Sequence, residues 1–375
     1  MIYLDNSATT FPKPEKVYKE MIDLYQKYGV NVERGNYKLS LEAHALVQKI
    51  RLKINNFFNG YSEECVVFTY NATDALNIAI NGVIEENDRV ITTVLEHNSV
   101  LRPLNHLKKS KRIEVEYLNP SGEKIDTREL KARLDKRTKL VVVNHSSNVT
   151  GYTQDLEAIG RCIKENSSAY FLVDASQSAG VIPVDIKKAS IDFFVTTGHK
   201  ALYGPTGIGL LILNPEVKIR PFRVGGSGHS SENPYQPDNF PDRLEAGTLN
   251  ILGVFGLKAG IEFIEETGIE KIHSKELKLK KLLLENLENK KIKILTSKED
   301  SSPAIVSILH CDYSPADLAN ILDSEFGIAT RAGLHCAPLA HKFLGTFPYG
   351  TLRVSIGYFN TEEEILTLSS VLNQL

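Results

Sequence analysis

Between about residues 66 and 213 the chain repeats one pattern: a short, nearly continuous apolar run followed by a longer stretch with helical spacing. The runs are Cys65-Val66-Val67-Phe68, Val90-Ile91-Thr92-Thr93, Val115-Glu116-Tyr117-Leu118, Leu140-Val141-Val142-Val143, Phe171-Leu172-Val173, Phe193-Phe194-Val195 and Gly209-Leu210-Leu211-Ile212-Leu213. A strand that is apolar on both faces has to be covered on both, and parallel neighbours need crossovers that helices supply. The pattern predicts an α/β fold: a mostly parallel seven-stranded sheet flanked by helices.

The chain has 375 residues, more than one hydrophobic core usually organises, so a second domain is expected. Past about residue 250 the character changes. Lys271 to Lys291 reads as a charged helix whose apolar positions are Leu277, Leu279, Leu282, Leu283, Leu284 and Leu287. Alternating segments follow at Ala304 to Leu309 and Thr351 to Ile356, with helices between and after, which suggests a smaller α+β domain. The expected division is a large domain over 16–253 and a small one built from 1–15 and 254–375. Gly225 to Asn239, rich in Gly, Ser and Pro, reads as a long functional or mobile loop.

Composition narrows the function. With 44 basic against 46 acidic side chains, nothing in the charge favours nucleic acid or an anionic membrane as partner. The run Lys108-Lys109-Ser110-Lys111-Arg112 reads as a solvated helix end. No stretch approaches the roughly 18 apolar residues of a spanning helix. The opening Met1-Ile2-Tyr3-Leu4-Asp5 lacks the basic start and apolar core of a signal peptide, so the cytoplasm is the expected location. Cys65, Cys162, Cys311 and Cys336 are scattered without CxxC spacing, which argues against a zinc site or a disulfide framework. No metal is expected.

In open α/β sheets ligands sit beyond the carboxyl ends of the strands, and those ends are unusually polar here. After Phe68 come Thr69-Tyr70-Asn71-Ala72-Thr73 and a helical stretch. Such residues cap free helix N–H groups, and the same geometry binds phosphate. Glu96-His97-Asn98-Ser99 and Asn144-His145-Ser146-Ser147-Asn148 follow two further strands. Asp174 directly follows Val173; a carboxylate there either caps a helix or meets a cation such as a protonated ring nitrogen. Lys200 lies between a buried strand and the Gly-rich segment Gly204 to Gly209, and a desolvated lysine has a lowered pKa and forms Schiff bases. Neither GxxxxGK[ST] nor GxGxxG after a strand is present.

Asp174-Ala175-Ser176-Gln177 followed by Thr197-Gly198-His199-Lys200, with the lysine 26 residues after the aspartate, resembles the class V aminotransferase family. Arg331-Ala332-Gly333-Leu334-His335-Cys336-Ala337 is similar to the RxGHHCA signature of cysteine desulfurases and selenocysteine lyases. The likeness also takes in Leu4-Asp5-Asn6-Ser7-Ala8, Asn31-Val32-Glu33-Arg34-Gly35 and Thr351-Leu352-Arg353-Val354-Ser355, so it runs essentially end to end.

The resemblance implies a fold-type I dimer that uses pyridoxal phosphate and takes sulfur from L-cysteine, giving L-alanine. Lys200 would carry the cofactor in imine linkage, Asp174 would pair with the pyridine nitrogen, and His97 would stack on the ring. Asn148 and Gln177 would lie near the substrate and the phenolic oxygen. Ala72, Thr73, Thr197 and His199 would hold the phosphate, with Thr248 reaching it from the other subunit. Arg353 would bind the substrate carboxylate, with Ala8 and Arg331 beside the substrate. The alternation of Leu352, Val354 and Ile356 against Thr351, Arg353 and Ser355 supports a guanidinium facing a pocket.

Cys336 would receive the sulfur as a persulfide, with His335 as a candidate for lowering its pKa. Only 16 residues separate Cys336 from Arg353, which suggests an ordered loop of limited reach and transfer to a dedicated acceptor protein. Two departures stand out: Leu334 replaces the first His of the signature, and Tyr37 stands where relatives often carry His. They bear on the sulfur-versus-selenium preference. Selenocysteine lyase or cysteine sulfinate desulfinase on the same scaffold is the alternative reading, and a non-catalytic scaffold of a sulfur-transfer complex is the rival from another class.

Overall fold

A computed structural model describes residues 1–33, 35–228 and 232–375. Arg34 of the 31–35 motif and residues 229–231 of the long loop lie outside the described residues. The chain starts with a two-residue strand, β1 (Ile2–Tyr3). Seven strands follow: β2 (Val66–Thr69), β3 (Arg89–Thr93), β4 (Glu114–Leu118), β5 (Thr138–Asn144), β6 (Tyr170–Asp174), β7 (Phe193–Thr197) and β8 (Gly209–Leu213). They form one sheet in the order β2-β8-β7-β6-β5-β3-β4. Pairings from β4 through β7 are parallel, while β8 runs antiparallel to both β7 and β2. Each expected apolar run became a strand.

Both faces of this sheet are buried. Val66, Phe68, Val141, Val143, Phe171, Val173, Phe194, Leu210 and Ile212 join the core on one side. The residues between them, Val67, Leu140, Val142, Leu172, Phe193, Val195, Leu211 and Leu213, join the core on the other. Period-two alternation with no polar face explains why the runs read as continuously apolar. The chain order reverses between β3 and β5: β4 lies outside β3, and β5, β6 and β7 step away on its other side. Ligands bind in the crevice that such a reversal opens.

The second unit holds β9 (Ile292–Leu295), β10 (Ile305–His310), β12 (Arg331–Gly333) and β13 (Thr351–Ser355) in an antiparallel sheet ordered β12-β13-β10-β9. β11 (Ile328–Ala329) pairs in parallel with β1, and Leu4 packs into the same core as Leu279, Val306, Leu352 and Leu368. The helix Ile251–Thr267 buries Val254, Phe255, Leu257, Ile261 and Ile264 in the core of the large sheet. We therefore draw the boundary of the large unit near Gly268, past this helix, instead of at 253. No helix among the described residues is long and apolar enough to cross a membrane.

The helix expected over 271–291 runs from Ile269 to Glu285, so Leu287 falls beyond it. Asn286 bonds back to Leu282 O at 2.9 Å, and Asn373 Oδ1 accepts from the amides of Glu288 and Asn289. These polar contacts turn the chain where the leucine spacing alone continues. Strands β9 and β12 were not legible as strands. Residues 225–228 and 232–239 lack helix or strand, as expected for that loop.

One buried ion pair anchors the sheet edge. Arg51 donates to Glu245 through both terminal nitrogens, at 2.8 and 2.7 Å, and also to Val66 O. Glu245 Oε1 also accepts from Phe68 N at 2.6 Å. Breaking such a pair strands a buried charge, typically at about 3–5 kcal/mol. Arg51→Met is therefore expected to lower the melting temperature by several degrees, while Lys278→Met, which removes the exposed Lys278–Glu362 pair, leaves it nearly unchanged; equal shifts by thermal unfolding contradict the assignment.

Candidate active site

A cleft of about 210 Å³ lies beyond the carboxyl ends of β3, β5, β6 and β7. It brings together Ala8, Ala72, Thr73, His97, Asn148, Asp174, Gln177, Thr197, His199, Lys200, Arg331, Cys336 and Arg353. Thr248 is apart: it is exposed and lines two smaller depressions elsewhere on the chain.

One end of the cleft is built for an anion. Asn71 caps the helix Ala72–Val83 by accepting from Asp74 N at 2.9 Å, and the first-turn amides of a helix have no intrahelical acceptor. Ala72 and Thr73 stand at that terminus, where backbone dipoles favour negative charge. Gly209 is needed behind it, because a Cβ there would lie 2.6 Å from the Asn71 backbone carbon. Thr73 Oγ1 is 2.7 Å from Ser99 Oγ. Thr197 Oγ1 and His199 Nδ1 are buried without hydrogen-bond partners among the described residues. Native interiors rarely leave such atoms unpaired, so the site is shaped for a polar guest.

At the centre, Asp174 Oδ1 accepts from Ser176 N at 2.9 Å and Ser176 Oγ at 2.5 Å, which fixes its carboxylate. Burial lowers the Lys200 pKa to about 8; Asp174 opposes the shift, and Arg353 and Arg331 add to it. His97 Nδ1 accepts from Ser99 N at 3.1 Å. Burial, reinforced by Lys200, lowers the His97 pKa to about 4, so its ring is neutral. Gln177 Nε2 donates to Ser7 O at 3.1 Å, and Asn148 Oδ1 is buried and unpartnered.

Cys336 is exposed at the cleft mouth and sits at φ +58°, directly after His335 at φ +47°. Two consecutive non-glycine residues in the left-handed region cost roughly 1–2 kcal/mol each. They persist because neighbouring loops hold their carbonyls: Asn148 Nδ2 donates to His335 O, and Asn98 N to Cys336 O, both at 2.6 Å. Gly350, at φ +80°, packs so tightly that a Cβ would lie 2.0 Å from Gly333 O. Contrary to the expectation from sequence, His335 offers the thiol no positive charge. Its Nε2 is committed to Thr351 O at 3.0 Å, and burial, with Arg353 adding, drives its pKa down to about 2. A neutral imidazole supplies no positive charge to a thiolate.

Arg353 is 1 % exposed and lies in register with Arg331 across the β12–β13 pair. Its Nη2 donates to Asp5 Oδ1 at 2.7 Å and its Nη1 to Asn148 O at 3.1 Å, while Nε has no partner among the described residues. The Arg331 side chain makes no ion pair or hydrogen bond among the described residues, so the cleft is lined by two guanidinium groups of which Arg353 has the carboxylate partner. The alternation read for residues 351–356 is present, since Leu352, Val354 and Ile356 enter the core.

Sequence reading assigned Glu96 no role. It is fully buried at the chain reversal, accepting from Thr93 Oγ1 at 2.7 Å and Asn144 N at 2.9 Å. Burial raises its pKa to about 8, so it keeps its proton at neutral pH. In sequence a glutamate after a strand looks solvated, and only the packing of β3 against β5 reveals otherwise. Tyr37 is 52 % exposed and Leu334 half-buried.

Comparison with known proteins agrees with this arrangement. The family model described as aminotransferase class-V matches residues 2–368. A probable cysteine desulfurase of Pyrococcus abyssi is 37 % identical over 385 residues, covering 100 % of this chain and 94 % of that protein. A cysteine desulfurase of Wigglesworthia glossinidia brevipalpis is 31 % identical over 97 % of this chain and 90 % of its own. Among solved structures, the apo cysteine desulfurase of Thermococcus onnurineus NA1 superposes with a TM-score of 0.92 at 35 % identity, over 100 % of this chain and 94 % of that one. The cysteine desulfurase CsdA of Escherichia coli, in its S-sulfonic acid form, gives 0.88 at 27 % identity over 99 % and 94 %. With the family match spanning nearly the whole length, the chain belongs to the class-V aminotransferase family.

Proposed function

We propose that this protein is a pyridoxal-phosphate-dependent cysteine desulfurase that converts L-cysteine to L-alanine and leaves the sulfur as a persulfide on Cys336. The observation that carries the reading is the convergence of Lys200, Asp174, Arg353 and Cys336 on one cleft. Full-length similarity to proteins named cysteine desulfurase supports it.

The residues present fit the cofactor. Ala72, Thr73, Thr197 and His199 are suited to the phosphate, Asp174 to the protonated ring nitrogen, Asn148 and Gln177 to the phenolic oxygen, and Lys200 to covalent attachment. When bound, the cofactor supplies an electron sink for a carbanion at the substrate Cα. Asp174, oriented by two hydrogen bonds from Ser176, would present its carboxylate to that ring nitrogen. His97, neutral because it is desolvated, offers an apolar ring face without adding a cation beside Lys200.

Arg353 and Arg331 take the substrate carboxylate, which fixes the orientation of its side chain toward Cys336. Ala8 borders the substrate. Lys200 Nζ, with its lowered pKa, is a base of suitable strength for the Cα proton. Cys336 Sγ bonds to the substrate sulfur as the C–S bond breaks. Alanine keeps the electron pair and a proton, and the enzyme keeps S–SH, so thiol plus cysteine balances persulfide plus alanine with no external oxidant. The ordered, short-reach turn at Cys336 favours handing the sulfur to a docked acceptor protein.

A homodimer completes the site in this reading, with Thr248 serving the phosphate of the partner subunit. Exposed Tyr70 lines the depression that holds Thr248, and exposed Phe222 and Val224 are the chain neighbours of Arg223 in its lining; exposed apolar side chains of this kind are what subunits cover. Four free cysteines suit a reducing compartment, and we place the protein in the cytoplasm.

Cys336→Ser is expected to load cofactor normally and to lose alanine formation from cysteine by more than about a hundredfold. Mass spectrometry of the wild type after cysteine exposure should find added sulfur on the Cys336 peptide. Sulfur on the exposed Cys311 instead, or an undiminished Ser variant, counts against this role.

The depressed Lys200 pKa sets the pH dependence of cofactor loading by the apoprotein. Only the neutral amine attacks an aldehyde, so the loading rate should rise about tenfold per pH unit below the pKa and level off above about 8. Stopped-flow absorbance across pH 6–10 reads this directly. A rate still climbing above pH 9 indicates a lysine of ordinary basicity.

A further inference from the structure

A ring of hydrogen bonds ties the Cys336 turn to the loop beyond β5. Asn148 Nδ2 donates to His335 O at 2.6 Å. His335 Nε2 lies 3.1 Å from Thr351 Oγ1, Thr351 Oγ1 donates to Ser307 Oγ at 3.0 Å, and Ser307 Oγ donates to Val149 O at 2.7 Å. Val149 follows Asn148, so the path closes on itself. Ser307 and Thr351 are fully buried, and neither lines the cleft.

Chemistry sets the direction around the ring. A carbonyl oxygen only accepts, so Ser307 gives its single proton to Val149 O. Its oxygen then accepts from Thr351, whose proton is thereby used. Thr351 Oγ1 and Thr351 O are both acceptors toward His335, which fixes the tautomer with the proton on Nε2. His335 Nδ1 is left as an unprotonated nitrogen, buried and unpartnered among the described residues.

We propose that Ser307 and Thr351 are positioning residues: through this ring they hold His335 and Cys336 in their left-handed conformation and lock the thiol to the loop that carries Asn148. Both residues lie in the second unit, on β10 and β13, while the ring closes on the large one. It therefore sets the placement of the sulfur-accepting atom relative to the cofactor end of the cleft. Strained backbone relaxes unless its surroundings over-determine it, and the ring supplies constraints from two sides. The activity readout below rests on the desulfurase reading; the other two do not.

The test uses cofactor-loaded protein carrying Ser307→Ala, Thr351→Val, both together, or Thr351→Ser. Each single apolar variant should speed hydrogen exchange of the 334–337 peptide about tenfold. Each should also lower kcat for alanine formation about tenfold, with KM for cysteine unchanged within about a factor of two. One break opens the ring, so the double variant should be no worse than either single one, and Thr351→Ser should restore wild-type values. Histidine-selective nitrogen spectra, assigned with His335→Gln, should show His335 protonated only at Nε2 at neutral pH. Wild-type exchange and kcat in both single variants, losses that multiply in the double variant, or a proton on Nδ1 would each overturn the proposal. Thr351→Ser and the spectra need no destabilised protein. If the wild type makes no alanine from cysteine, the functional reading falls, and exchange and spectra still decide the ring.

Discussion

Burial of both faces of the seven-stranded sheet is the constraint on which the rest depends. With Val141, Val143, Phe171 and Val173 on one side and Leu140, Val142 and Leu172 on the other, the central strands have no face left for polar chemistry. Polar side chains can leave only at the strand tips. Asn144 and Asp174 pair in register at the last positions of β5 and β6, and Thr197 ends β7 opposite Gly209. The chain reversal between β3 and β5 keeps the crossovers from filling the space beyond these tips. A cleft lined by capped, hydrogen-bonded side chains follows from that geometry.

The second unit contributes Arg331, Cys336 and Arg353 to the cleft and is held to the first by short polar contacts. Residues 148–150 accept the main polar contacts of this docking. Asn148 O accepts from Arg353, Val149 O from Ser307, and Thr150 O from Ser297 N at 2.7 Å. A second clasp lies nearby, where Glu123 accepts from Ser297 Oγ and Lys298 N, and buried Lys280 donates to Ser297 O and Ser302 Oγ. Because Arg353 and Cys336 both come from this unit, the clasps set where these two side chains stand relative to Lys200 in the cleft.

Electrostatics inside the cleft follow from desolvation more than from pairing. His97, His199 and His335 are all driven neutral by burial, and Lys200 is depressed by the same cause. Of the two guanidinium groups in the cleft, Arg353 is paired with Asp5, while the Arg331 side chain has no partner among the described residues. A site of this kind keeps its imidazoles neutral and leaves cationic groups free to meet an anionic guest.

By itself the sequence determined the strands of the seven-stranded sheet, their two-sided burial and the polar residue types at their tips. Those features depend on local alternation and on residues a few positions apart, as between Val173 and Asp174 or Val195 and Lys200. Tertiary structure decided the states of those residues. Asp5 meets Arg353 across 348 positions, and His335 is turned onto Thr351 and away from a charged role. Glu96 keeps a proton because it is buried where β3 packs against β5, and Asn98 and Asn148 hold the carbonyls of the left-handed Cys336 turn. Protonation and backbone strain are set by partners distant in the chain, and spacing along the sequence does not encode them.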